Sequence, residues 1–188
     1  MTFVLDGSGR VERKIVEANY RVRQGGRLLF EQLTGAQPAV PYAVIEARGH
    51  EVHVAVRAWV DSPTYFAYQR LGLHLELTID PGWHIYGPMT PSGYQALEIA
   101  VTSDPAGARI DAFPWPDPAA FRVEGLDEDF RVYEGSFTLV IPVELIIARG
   151  SGEARLDVVV RSQACSATEC LPPSSIQATL ALPEAPAL

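Results

Sequence analysis

The sequence has little lysine, little cysteine and no long apolar run, and each shortage excludes a class of chemistry. Lysine occurs once among 188 residues, at Lys14. A lysine Schiff base or a lysine-led phosphate site elsewhere in the chain is thereby excluded. Fifteen basic residues stand against 23 acidic ones, a formal charge of −8 at pH 7. Nucleic acids and anionic lipid surfaces select basic surfaces, so neither is an expected partner. The longest apolar-rich run, 139–148, is broken by Pro142 and Glu144. It falls well short of the ~20 residues of a membrane-spanning helix, and no direct membrane insertion is expected. The first residues, Met1 to Asp6, show no basic segment leading into an apolar stretch, so no secretory signal is read there. Cysteine occurs twice, at Cys165 and Cys170, too few for a disulfide scaffold.

What is present is ordinary globular material, 47% hydrophobic and 20% charged. Two parts separate near residue 36. Residues 2–5 form a β-prone run, and Asp6-Gly7-Ser8-Gly9 is a hairpin turn signal before a return strand from Val11 to Val16. Gly25-Gly26 opens a short segment, 27–33, with Leu29 and Leu33 at helical spacing. Residues 36–44, with Pro38 and Pro41, read as a linker. About 35 residues cannot bury a core alone, so this first part must pack on something else or stay poorly ordered.

The remainder is β-rich. Val52, Val54, Val56, Ala58 and Val60 alternate with more polar neighbours. Leu71, Leu73, Leu75, Leu77 and Ile79 share one side of the next strand, with Gly72, His74, Glu76, Thr78 and Asp80 on the other. Such alternation predicts an antiparallel sheet with one buried face. Further strands follow at 97–101, 137–143, 156–160 and 176–182. Six or seven strands separated by Pro/Gly turns predict an all-β fold, an immunoglobulin-like antiparallel β-sandwich over 45–183 with a tail at 184–188. Pro142 inside a strand points to an edge or a bulge. Two long irregular stretches, 81–94 and 113–135, are candidates for function.

Cys165-Ser166-Ala167-Thr168-Glu169-Cys170, followed by Leu171-Pro172-Pro173, is the chemical focus. A turn joining two strands would bring the Cα atoms within the ~4.4–6.8 Å of a disulfide. Three readings stay open: a structural staple, a redox-active pair, or part of a metal site. A staple closing so short a loop stabilises by only about 2 kcal/mol. A zinc site would need two further ligands, of which His84 is the best placed, since His50, His53 and His74 lie on or beside strands as solvated-face residues. There is no Gly-x-Ser-x-Gly elbow for a hydrolase and no phosphate-loop spacing. Asp127-Glu128-Asp129 reads first as a solvated acidic run.

The run Gln163-Ala164-Cys165-Ser166-x-x-x-Cys170-Leu171-Pro172-Pro173, after a Val-rich strand, resembles the N-terminal domain of the thiol:disulfide interchange protein DsbD. Pro81-Gly82-Trp83-His84-Ile85-Tyr86-Gly87-Pro88 resembles the family's Gly-Trp-His-Ile-Tyr segment. Tyr133-Glu134-Gly135-x-Phe137-x-Leu139-x-Ile141-Pro142-Val143 resembles the start of its central strand. The stretch from Asp127 to Phe130 is similar to its acidic-aromatic cap loop. Residues 1–35, with Thr2-Phe3-Val4-Leu5-Asp6-x-x-Gly9-x-Val11, are similar to the C-terminal end of a thioredoxin-like redoxin domain, without that fold's redox cysteines.

The resemblance implies a periplasmic or extracytoplasmic carrier of reducing equivalents between thioredoxin-like redox proteins, a component of a protein-disulfide reductase with no cofactor. It also implies that the chain is a piece of a longer, exported protein. Carried over, Cys165 and Cys170 are the redox pair, with Cys170 forming the mixed disulfide. Phe130 is the expected cap aromatic, with Phe121 as the fallback. His84 and Tyr86 are expected to line the site, and Asp127 or Glu128 to influence thiol ionisation. This sequence departs from the family by its short gap between cysteines and by His84 where some members carry Tyr. The competing class is a non-catalytic protein-binding β-sandwich with a structural disulfide, engaging its partner through the 113–135 loop.

Overall fold

Period-two alternation places the apolar side chains of a strand on one face, so such strands must pair into sheets that share a covered side. The computed structural model describes residues 2–16, 21, 23–34, 42–48, 53–88, 90–122 and 129–186. In chain order its elements are β1 (Thr2–Leu5), β2 (Val11–Ile15), β3 (Arg23–Gln24), α1 (Gly26–Thr34), β4 (Tyr42–Arg48), β5 (Val54–Val60), β6 (Gln69–Ile79) and β7 (His84–Tyr86). There follow β8 (Glu98–Asp104), β9 (Ala108–Ile110), β10 (Ala119–Phe121), β11 (Phe130–Tyr133), β12 (Ser136–Leu145), β13 (Ala154–Ser162), β14 (Ala164–Cys165) and β15 (Ser174–Leu182).

Two sheets make the sandwich, one ordered β4-β5-β6-β12-β9 and the other β15-β13-β8. The register aligns Ala58 with Leu75 and Leu75 with Leu139 in the first sheet. In the second it aligns Val158 with both Ala178 and Val101. Each alternating set therefore forms one continuous apolar layer. The two layers meet in a single buried cluster that includes Leu73, Leu75, Leu77, Ile141, Leu156, Val160 and Leu180. Burying each such side chain stabilises by about 1.5–3 kcal/mol. This is the all-β, immunoglobulin-like antiparallel sandwich that the alternation predicts.

Three expectations change in detail. The linker expected over 36–44 ends early, because Tyr42 already pairs with Val60 and β4 completes the open edge of β5. Pro142 lies in an interior strand, opposite Gly72 of β6. Its backbone faces the β9 side, where the ladder is ending, and its carbonyl accepts from Asp111 N–H at 3.0 Å. The proline N therefore falls where no strand requires a donor. His74, expected on a solvated face, is fully buried and stacks on Trp59, its cross-strand neighbour. The second face of β6 is covered there, and burial holds the His74 pKa down to about 4.

Of the first part of the chain, β3 and α1 pack onto the sandwich through β6. β1 and β2 form the expected hairpin. β3 runs parallel to β6 at Gln69 and Arg70, beyond the point where β5 stops pairing at Leu73. The N–H of Gly25 donates to the Arg70 carbonyl at 2.7 Å. A Cβ on Gly25 would stand 3.1 Å from that same carbonyl, tighter than most Cβ contacts, so the close approach favours glycine. Nearby, buried Glu144 sits between Arg70 and Arg109, with the Arg109 Nη2 at 2.7 Å from its Oε2.

Candidate functional site

The two irregular stretches of the sequence meet in one further sheet, ordered β10-β11-β7-β14. Its cross-strand pairs are Phe121 with Phe130, Val132 with Tyr86, and His84 with Cys165. Paired residues project to the same face and alternate residues share it. Phe121, Phe130, Val132, Tyr86, His84 and Cys165 therefore occupy one face of this small sheet. Ile85, Ala164 and Tyr133 point the other way, into the main core. The same strands thus anchor the sheet with half of their residues and present the sulfur with the other half.

Cys165 and Cys170 are joined in a disulfide, with their Cα atoms 4.0 Å apart across an antiparallel bridge. The intervening turn holds itself by backbone bonds. Ser166 N–H donates to the Glu169 carbonyl at 2.8 Å, and Leu171 N–H to the Ala164 carbonyl at 2.9 Å. The Ser166 hydroxyl oxygen accepts from the N–H groups of Thr168 and Glu169. The Gln163 side-chain amide accepts from Gln95 N–H and donates to the Leu171 carbonyl, both at 3.0 Å. Gln163 therefore ties the turn to the segment following β7, which gives that residue of the motif its physical reason.

The two sulfurs have different surroundings. Cys165 is 1% exposed, packed with Tyr86, Phe130 and Val132, while Cys170 is exposed. The Tyr86 hydroxyl lies 3.4 Å from the Cys165 sulfur and 3.7 Å from the Cys170 sulfur, and in the disulfide only the hydroxyl can donate. Burial, then the neighbouring Tyr94, pushes the Tyr86 phenol up, so it remains a donor at neutral pH. An open groove of about 460 Å³ runs over the pair, lined by Tyr86, Tyr94, Phe121, Arg122, Thr168 and Cys170 among others.

The expected site residues are distributed as follows. Tyr86 and His84 lie beside the sulfurs on β7, and burial lowers the His84 pKa. Asp127 and Glu128 lie outside the described residues. Phe130 is not placed as a cap: it is 1% exposed at the start of β11, its ring against Tyr86 at 5.5 Å and Tyr94 at 5.0 Å. A strand residue facing the sheet's aromatic cluster has no freedom to stand over the groove. Phe121 is the aromatic of the pair that lines the groove, 4.3 Å from the His84 ring. Arg122 and Asp129 form an exposed ion pair, 2.6 Å long, across the base of the β10–β11 hairpin. His53 stacks on Trp83 at 3.7 Å and its Nδ1 lies 3.1 Å from Asp80, outside this face, and His50 is outside the described residues. Sequence reasoning missed Tyr94 and Arg122, whose only signal was membership of the two irregular stretches.

Comparison with known proteins bears on this geometry. A family model described as the N-terminal part of the thiol:disulfide interchange protein DsbD matches residues 55–182. The crystal structure of the N-terminal periplasmic domain of ScsB from Proteus mirabilis is similar at TM-score 0.51 and 21% identity, over 71% of this chain and 49% of that one. This chain therefore spans about half of that structure's length. The N-terminal domain of Neisseria meningitidis DsbD, in its reduced form, gives TM-score 0.42 and 13% identity over 76% and 90% of the respective chains. No curated protein matches. The resemblance of residues 1–35 to the end of a redoxin domain finds no support in these matches, and the family match begins only at residue 55. That match spans most of the chain and takes in the sandwich apart from β4, the small sheet and both bonded cysteines, so the chain belongs to the family of DsbD N-terminal domains.

Proposed function

We propose that the domain carries reducing equivalents by thiol:disulfide exchange, through reversible opening of the Cys165–Cys170 bond. The observation that carries this reading is the asymmetry of the pair, with one sulfur buried on a sheet face and the other exposed at an open groove. Exchange requires a thiolate to approach one disulfide sulfur in line with the bond, so access selects which sulfur is attacked. An incoming thiolate attacks the Cys170 sulfur, and Cys165 leaves into a pocket where the Tyr86 hydroxyl donates to it. In the reverse direction Cys170 attacks a partner disulfide, and Cys165 then closes the ring and releases the partner.

The partners this mechanism suits are thioredoxin-like proteins, which present an exposed disulfide or dithiol to a groove. Phe121 and Tyr94 give that groove apolar walls for a partner's loop, while the Phe130 ring packs against Tyr86. A periplasmic or otherwise extracytoplasmic setting fits a family whose members exchange disulfides. An inert staple would instead be expected to bury both sulfurs or to join distant segments.

Equilibration in graded thiol buffers, followed by alkylation of the free thiols, tests the reading. The pair is expected to open reversibly at potentials above about −300 mV, with Cys170 alkylated ahead of Cys165 in the reduced form. A pair that stays oxidised well below about −300 mV would behave as a structural disulfide and overturn it.

A further inference from the structure

The exchange reaction leaves one proton without a carrier. After Cys170 has formed a mixed disulfide with a partner, Cys165 carries an S–H in a buried pocket and must lose that proton before it can attack. Solvent has poor access to a sulfur that is 1% exposed in the closed pair. Its direct cross-strand neighbour is His84, and such neighbours have Cβ atoms about 4.5–5.5 Å apart on the same face. His84 is itself only 3% exposed, and its Nε2 is buried without a hydrogen-bond partner among the described residues. A buried ring nitrogen without a partner carries a desolvation cost that packing alone does not explain. Phe121 at 4.3 Å and Tyr86 at 5.7 Å hold the ring on the same face of the sheet as Cys165.

We propose that His84 is the proton acceptor for Cys165 in the resolving step, a role that rests on the exchange reading above. The proton passes from the Cys165 sulfur to the neutral imidazole. The resulting thiolate attacks the Cys170 sulfur, forming the Cys165–Cys170 bond and breaking the bond from Cys170 to the partner. The partner's sulfur leaves with the electron pair and takes up a proton as the imidazolium releases one. The dithiol has then lost two electrons and the partner disulfide has gained two.

The groups facing His84 set its state. Tyr86 stands on its own strand and Cys165 on β14. Asp80 and Glu134 line the groove on one side, and Arg122 and Glu169 line the redox groove that His84 also borders. Burial lowers the imidazole pKa more than Glu134 raises it, so the ring is neutral at physiological pH, with a free lone pair to take a proton.

Ellman's reagent, an aromatic disulfide that releases a coloured thiolate at each step, separates the two events in the reduced full chain. The first release reports attack by Cys170, and the second reports resolution by Cys165. His84→Gln is expected to slow the second release by about 10²-fold and the first by no more than a few-fold. The second rate in the wild type should level off once the imidazole is neutral, whereas in the variant it should climb ~tenfold per pH unit as the thiolate fraction grows. Added imidazole should restore the second rate in His84→Ala, a response that a packing role would not give. A circular dichroism spectrum matching the wild type serves as the control for folding. A second rate within about twofold of wild type, with the same pH profile, would overturn the role of His84 while leaving exchange intact. Absence of any first release in the wild type would overturn the exchange reading and this proposal with it.

Discussion

Reduction of the disulfide provides the sharpest division between a working pair and a staple. The bond closes only the 165–170 loop, a sequence separation of 5. Constraining so short a loop removes little entropy from the unfolded chain, about 2 kcal/mol in the chain-entropy relation. The turn also keeps its own support without the bond: the Ser166 and Leu171 N–H groups, the Ser166 hydroxyl and the Gln163 amide all remain paired. The sandwich core, which contains Leu75, Ile141 and Leu180, does not include either sulfur. Reduction is therefore expected to lower the unfolding free energy by about 2 kcal/mol, a fall of about 4–8 °C in Tm for a chain of this size. Urea unfolding with and without dithiothreitol measures it, and a Cys165→Ala/Cys170→Ala double variant should match the reduced protein. A loss beyond about 4 kcal/mol, or outright unfolding on reduction, would refute the reasoning. A carrier that unfolds at each turnover cannot hand electrons on.

Two further predictions concern the frame that holds the site. Glu144 is buried between Arg70 and Arg109, and Glu144→Ala removes that carboxylate and leaves half-buried Arg70 to Asp111, 2.7 Å away, so it should cost about 2–3 kcal/mol, read as a lowered urea midpoint. A cost below about 1 kcal/mol would show that water screens the cluster as it does a surface pair. The pKa of buried His74 is held at about 4 in the fold against 6.5 unfolded, so the unfolded chain binds the extra proton between those values. Its contribution is fully present above the unfolded pKa and is lost as pH falls through the folded one. Stability should therefore drop by about 3 kcal/mol across that window, and His74→Phe, which keeps the stack on Trp59, should flatten that part of a urea-midpoint profile.

Legibility in the sequence followed strand length. β6 and β12 run for 11 and 10 residues, long enough for alternation to declare both strand and buried face. The strands of the site sheet run for 3, 3, 4 and 2 residues, too short to show any period. They exist because non-local partners supply the hydrogen bonds, which no local pattern records. The cysteines were found through their spacing and neighbours, yet the reason for Gln163 emerged only from its bonds to Gln95 and Leu171. Phe130 and Phe121 are a cross-strand pair, and nothing in the sequence distinguishes which of them is buried with Cys165 and which lines the groove. His74 looked solvated because alternation assumes one open face, and at the middle of β6 both faces are covered.

The small sheet explains why a reactive sulfur can sit at a fixed place without a rigid scaffold around it. Ile85, Tyr133 and Ala164 are locked into the sandwich core, so β7, β11 and β14 cannot slide. Because side chains alternate, a slip of one residue would carry Cys165 into the core and lift Ile85 or Ala164 out of it. Register is thus enforced by apolar burial on one face, and the chemistry on the other face inherits that precision. Only the turn from Ser166 to Cys170 lies outside this constraint, and its exposed residues surround the sulfur that a partner must reach. Fixing the resolving sulfur and exposing the exchanging one is what an alternating strand ending in a turn does when a cysteine stands at each side of the junction.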